Sequence, residues 1–133
     1  MTQGQVADAV ESPVIVVGYS SKPEGRAALK RGLAEAELRS ARLVVVHTSP
    51  DVAATDLRAE LDGAGRPYEV REAVESLDPA EELLSAADSL DAEFIVIGLR
   101  RRSPVGKLLL GSNAQRVLLD ASCPVLAVKA ERS

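Results

Sequence analysis

The chain has no tryptophan, one phenylalanine (Phe94), two tyrosines (Tyr19 and Tyr68), one histidine and one cysteine among its 133 residues. A single thiol, Cys123, closes no internal disulfide, so the fold owes nothing to oxidation and a reducing, cytoplasmic setting is expected. One histidine and one cysteine leave little from which to build a zinc cluster or a Cys/His catalytic pair. The scarcity of aromatics removes the stacking platforms that single-stranded nucleic acid needs, and a net charge of −4 provides no overall attraction for a phosphate backbone. Nucleic acid is therefore not an expected partner. Long hydrophobic runs are missing too: residues 14–17 and 43–46 are far too short to cross a bilayer, so no membrane association is expected. Residues 1–12 contain Asp8 and Glu11, lack a basic start and have no apolar run, which reads as a flexible tail rather than a signal peptide.

What the chain does have is aliphatic side chains in a regular arrangement. A domain of this length, residues 13–133, buries roughly two-thirds of its unfolded surface, enough for one proper core. Short aliphatic runs at 13–18, 42–48, 68–73, 93–98 and 124–129 alternate with stretches of helical periodicity. That alternation is the mark of repeated βα units, hence an α/β fold with an open parallel sheet covered by helices.

After the first strand, Pro23 suits the first position of a helix whose Ala28, Leu29, Gly32, Leu33 and Ala36 form an apolar stripe, with Arg26, Lys30, Arg31, Glu35 and Glu37 mainly on the solvated face. A poorer helix is expected over 51–62, ended by Gly63 and Gly65. Asp78, Pro79 and Glu81 resemble a capping box, opening a third helix with Leu83, Leu84, Ala87 and Leu90 facing inward. A fourth begins at Ser112, where Gln115 three residues on gives another capping signal, and runs to about residue 121.

The segment from Gly98 to Asn113 carries the candidate chemistry. It is expected to be a long loop from a strand's carboxyl end to a helix's amino end, and it places Arg100, Arg101, Arg102 and Lys107 in an otherwise acidic chain. Helix amino ends present unsatisfied N–H groups and a positive dipole, an arrangement that suits a phosphate. A second reading makes the glycines turn residues, Ser112 an N-cap and the arginines solvated. Known phosphate loops do not fit: Gly106-Lys107 is followed by Leu108 rather than Ser or Thr, and the turn at Gly18-Tyr19-Ser20-Ser21-Lys22-Pro23 lacks a dinucleotide fingerprint.

Gly98, Gly111 and Ser112 do match the spacing of G-x2-G-x9-G-S/T, the ATP-binding signature between the fourth strand and last helix of universal stress proteins, and the chain resembles that family over nearly everything after Ser12. The similarity includes the opening strand and helix, the Pro79 helix with the strand ending at Gly98, and the close from Gly111-Ser112-Asn113-Ala114 through Cys123-Pro124-Val125-Leu126-Ala127-Val128-Lys129. The resemblance implies five parallel strands in the order 3-2-1-4-5 with helices on both faces, the adenine nucleotide alpha hydrolase-like, Rossmann-like arrangement. A ligand crevice is then expected where the strand order reverses.

The resemblance also implies site residues. Val17, Gly18 and Thr48 would line the adenine and ribose pocket, and Gly98, Gly111, Ser112 and Asn113 would meet the phosphates of ATP or a related adenine nucleotide. Two positions depart from the family pattern: Ser20 stands where nucleotide-binding members usually have Asp, and Arg101 replaces the second signature glycine. His47 matches a frequent strand-end histidine and reads as packed and structural rather than catalytic. The implied assembly is a homodimer through the last strand, which lies at a sheet edge. Two functions stay open: an adenine-nucleotide-binding regulatory protein of the stress response, or a dimeric interaction module of the same fold that binds no nucleotide. No enzyme is expected, since the loop offers no carboxylate to hold magnesium and Glu24 fits the first turn of a helix.

Overall fold

Each aliphatic run is a strand. The computed structural model describes residues 12–47, 54–72, 78–101 and 108–130. In chain order the elements are β1 (Val14–Tyr19), α1 (Pro23–Arg39), β2 (Arg42–His47), α2 (Ala54–Ala64), β3 (Tyr68–Glu72), α3 (Pro79–Leu90), β4 (Phe94–Arg101), β5 (Leu108–Leu109), α4 (Ser112–Asp120) and β6 (Val125–Lys129). The parallel sheet runs β3-β2-β1-β4-β6, which is the expected 3-2-1-4-5 order once the short β5 is counted in the chain.

The sheet is buried on both faces, which is why its central strands read as continuous Val, Ile and Leu rather than as an alternation. Ile15, Val17, Leu43, Val45 and Val96 pack with Ala28 and Leu29 of α1 and Leu57 and Leu61 of α2. Val16, Val44, Val46, Ile95 and Ile97 pack on the opposite face with Ala80, Leu83 and Ala87 of α3 and Val117 of α4. Helix starts follow the expected chemistry in part. Pro23 opens α1, and the Asp78 carboxylate accepts a hydrogen bond from the Glu81 N–H at 2.9 Å at the head of α3.

Several expectations are corrected. Gly63 lies inside α2, and the stop comes at Gly65, whose φ of 75° is the left-handed geometry that favours glycine. Glu35 is not solvated: it is 8% exposed. Arg31 and Arg39, one turn away on either side, donate through Nε to its two carboxylate oxygens at 2.9 and 3.1 Å. These bonds, Arg39's foremost, hold its carboxyl below the usual carboxylate range. The Arg39 guanidinium also lies 5.0 Å from the centre of the Phe94 ring, so the trio is pinned to the start of β4.

His47 is buried, packed 5.5 Å from the Tyr19 ring, with no hydrogen-bond partner on either ring nitrogen among the described residues. Cys123 is unpaired and half-buried, and burial pushes its thiol pKa up. No helix among the described residues is long and apolar enough to cross a membrane.

Two helix glycines separate packing from propensity. A Cβ on Gly32 would lie 2.5 Å from Val17 Cγ2, whereas one on Gly63 meets nothing within 4 Å among the described residues. Gly63→Ala is expected to stabilise the fold by about 0.5 kcal/mol, because alanine loses less backbone entropy in a helix. Gly32→Ala should destabilise it by about 1–3 kcal/mol through overpacking. Urea unfolding of both variants checks the opposite signs; equal effects would show that the α1–β1 contact yields without cost.

Candidate functional site

The strand order reverses between β1 and β4. The helix after β1 covers one face and the helix after β4 covers the other, leaving a crevice beyond the strands' carboxyl ends. Its volume is about 300 Å³, the lower end of small-ligand pockets. One lip is formed by Gly18, Ser20, Lys22, Glu24 and Gly25, and the other by Gly98, Arg100 and the stretch from Gly111 to Ala114. Pro79, at the head of α3, and Leu83 close the floor together with Ile97 and Val117. The amino ends of α1, α3 and α4 thus border one concavity and bring their positive dipole ends to it; the α3 end is capped by Asp78, while α4 has no side-chain cap hydrogen bond among the described residues.

The first lip is tightly folded because two glycines leave no room for a side chain. A Cβ on Gly25 would lie 2.3 Å from Ser20 N and from Ser20 Oγ, and one on Gly98 would lie 1.9 Å from the Glu24 carbonyl oxygen. Gly98 is thus needed by the packing of β4 under the start of α1, whether or not a phosphate approaches it. Ser20 Oγ accepts a long, 3.4 Å hydrogen bond from the Lys22 N–H, which braces the turn into α1.

The second lip differs from the expected long loop. β4 continues past Gly98 to Arg101, and its last two residues pair antiparallel with β5: Arg100 with Leu109, and Arg101 with Leu108. The N-cap of α4 is Gly111, at φ −69° and ψ 166°, with no side-chain cap hydrogen bond, and Ser112 is the first helical residue. The Ser112 hydroxyl is therefore not spent on the capping role expected of it. Gly111 has extended geometry open to any residue, and among the described residues a Cβ there would meet only Arg100 Nη2, at 3.5 Å. Arg100 Nε stands 3.8 Å from Glu24 Oε2, an ion pair that spans the crevice from lip to lip.

Of the residues expected to form a site, Gly18, Ser20, Gly98, Gly111, Ser112 and Asn113 come together in this crevice. The Val17 side chain does not: it packs into the core beneath α1. Thr48 lies outside the described residues, as does the side chain of Arg101, whose backbone ends β4. His47 is not among the lining residues. Arg100, one of the basic residues expected to favour a phosphate, lines the crevice, as does Lys22 of the turn from Gly18 to Pro23; Gly25 lines it without having been assigned a place in the site. The signal for Gly25 was present, since a glycine two residues after a helix-opening proline has no propensity reason to be there.

A model described as the universal stress protein family matches residues 54–129. A universal stress protein of Mycolicibacterium smegmatis is 50% identical over 127 residues, covering 87% of this chain and 97% of its own length. Among solved structures, the universal stress protein from Archaeoglobus fulgidus in complex with dAMP has a TM-score of 0.66 and 25% identity, over 90% of this chain and 99% of its own. A universal stress protein in complex with cAMP has a TM-score of 0.66 and 26% identity, over 90% of this chain and 98% of its own.

Two glycines of the crevice, Gly98 and Gly111, should respond differently to substitution. Gly98→Ala forces a methyl group against backbone and is expected to lower the melting temperature by roughly 5 °C or more, from an overpacking cost of about 1–3 kcal/mol. Gly111→Val should melt within a few degrees of the parent. Scanning calorimetry of both variants decides; a Gly98→Ala protein as stable as the parent would mean that α1 is free to move off β4.

Proposed function

The chain belongs to the universal stress protein family, and from that premise we propose that it binds ATP or a related adenine nucleotide in the crevice between β1 and β4, as a regulatory protein of the stress response. The observation that carries this reading is the open amino end of α4: an uncapped Gly111, a Ser112 hydroxyl free of capping duty and Arg100 beside them. Related structures holding dAMP and cAMP support the ligand class. Ser20 keeps hydrogen-bonding capacity where relatives with a carboxylate would make a charge-assisted bond, a difference of roughly 1 kcal/mol, so the affinity is expected to be modest. Binding without catalysis is the reading for this site, because Glu24, the one carboxylate among its described lining residues, is engaged by Arg100. An unpaired Cys123 suits a reducing cytoplasm.

Mass spectrometry of small molecules released from freshly purified, unheated protein should find an adenine nucleotide, and ATP at 100 times its dissociation constant should add about 2.7 kcal/mol of stability. Gly111→Val, which puts a branched side chain at the phosphate end, should remove that gain while leaving the unliganded protein folded. No released nucleotide and no ATP-induced shift in the parent would leave the interaction module as the function.

The proposed assembly is a homodimer through β6. The two sheet edges differ in chemistry. β3 carries Glu69, Arg71 and Glu72, with Arg71 Nε donating to Glu69 at 2.7 Å, whereas β6 is Val-Leu-Ala-Val-Lys, half-buried and, among the described residues, paired only with β4. Light scattering at high micromolar concentration should give twice the 14.0 kDa chain mass, falling to one chain for Leu126→Arg with unchanged far-UV dichroism. A parent protein of one chain mass at that concentration would end the dimer proposal.

A further inference from the structure

We propose that the Arg100–Glu24 pair is the specificity element of the crevice: Arg100 recognises a terminal phosphate, and Glu24 is a built-in substitute for that phosphate, released when a doubly charged phosphate monoester enters. This inference rests on the nucleotide reading of the same crevice and names the residue and ligand charge that govern it. The two side chains line one cavity from opposite lips. Their separation of 3.8 Å is longer than a hydrogen bond, in contrast to the 2.9 and 3.1 Å bonds that fix Glu35 between Arg31 and Arg39. Glu35, Glu69, Asp78 and Glu81 are each held by an arginine at hydrogen-bonding distance, whereas Glu24, the carboxylate in the crevice, is held loosely.

Geometry explains how the exchange would work. Glu24 lies in the first turn of α1, where the helix dipole stabilises a carboxylate without help from Arg100. Arg100 has its backbone anchored in the β4–β5 pairing, and its side chain is 44% exposed. Its Nη2 already lies 3.5 Å from the Cβ position of Gly111, beside the uncapped N–H groups of α4. A phosphate seated on α4 therefore falls within reach of the guanidinium, which presents a planar fork suited to two phosphate oxygens. A terminal monoester carries up to two negative charges against the single charge of Glu24, whereas a cyclic diester carries one. Only the former has a charge advantage over the resident carboxylate. Glu24 accordingly lowers affinity for every phosphate ligand and penalises the singly charged ones most.

The test is titration calorimetry of AMP, cAMP and adenosine against the parent, Arg100→Gln and Glu24→Gln, without added divalent cation so that Glu24 cannot act through a metal. The parent is expected to prefer AMP over cAMP. Arg100→Gln should lose about tenfold in AMP affinity, the size of one charge-assisted contact, and leave adenosine unchanged. Glu24→Gln should gain about threefold for AMP and proportionally more for cAMP, as a partly exposed competing charge is removed. If Arg100→Gln weakens AMP and adenosine equally, Arg100 only shapes the pocket and the inference fails while the nucleotide reading stands. If Glu24→Gln fails to raise AMP affinity, the substitute role fails in the same way. A parent that binds none of the three overturns the nucleotide reading and this inference together.

Discussion

The position of α1 against the sheet depends on three places where no Cβ fits. Gly25 admits the backbone and hydroxyl of Ser20, Gly32 admits Val17, and Gly98 admits the Glu24 carbonyl. Along that line helix and strand meet closer than ordinary side chains allow, and dispersion contacts accumulate in return. The first lip of the crevice is one end of this contact. Ser20, Lys22 and Glu24 are therefore positioned largely by packing of the backbone, helped by the long hydrogen bond into Ser20 and by the Arg26 N–H donating to the Lys22 carbonyl at 3.0 Å. A site built this way has its width set by the sheet and is insensitive to the identity of the residues on its rim.

Charge is arranged with similar economy. The chain is acidic overall, yet the convergence of three helix amino ends makes the crevice a place where an anion is favoured. The acidic residues nearest those amino ends are matched with arginines. Glu24 faces Arg100, while Arg116 of α4 binds both Asp78 and Glu81 at the head of α3, with Asp120 3.6 Å from its Nε. Arg116 thereby ties α4, whose own burial is mostly Val117, to the better packed α3. The amino end of a short helix gains a fixed direction from a neighbour, as a binding element requires.

Much of this fold was legible before any coordinates, because hydrophobic periodicity reports burial directly and the βα alternation leaves few topologies. The strand order came from family resemblance, since periodicity carries no information about which strands are neighbours. The residues gathered at Gly18, Ser20, Gly98 and Gly111–Asn113 were legible for the same reason, through a spaced signature. What escaped was long-range or reciprocal. The extension of β4 depends on its partner β5, a two-residue strand too short to have a period. Glu35 looked solvated because its polarity was read alone; the Arg31, Glu35, Arg39 spacing encodes a buried carboxylate shared by two guanidinium groups. The assignment of Ser112 as a cap failed because glycine is also accepted at that position, and sequence rules favour the serine next to it.

The unequal edges of the sheet bear on colloidal behaviour. A β-sheet with two adhesive borders can add chains at both and grow without limit, which is the geometry of a fibril. Here one border carries alternating charge and the other is aliphatic, so edge-to-edge contact between identical chains consumes the single adhesive border of each. The proposed dimer would close on a two-fold axis and present only charged margins to the next molecule. A protein that accumulates to high concentration would, with this asymmetry, stay dispersed where a sheet with two aliphatic margins would gel.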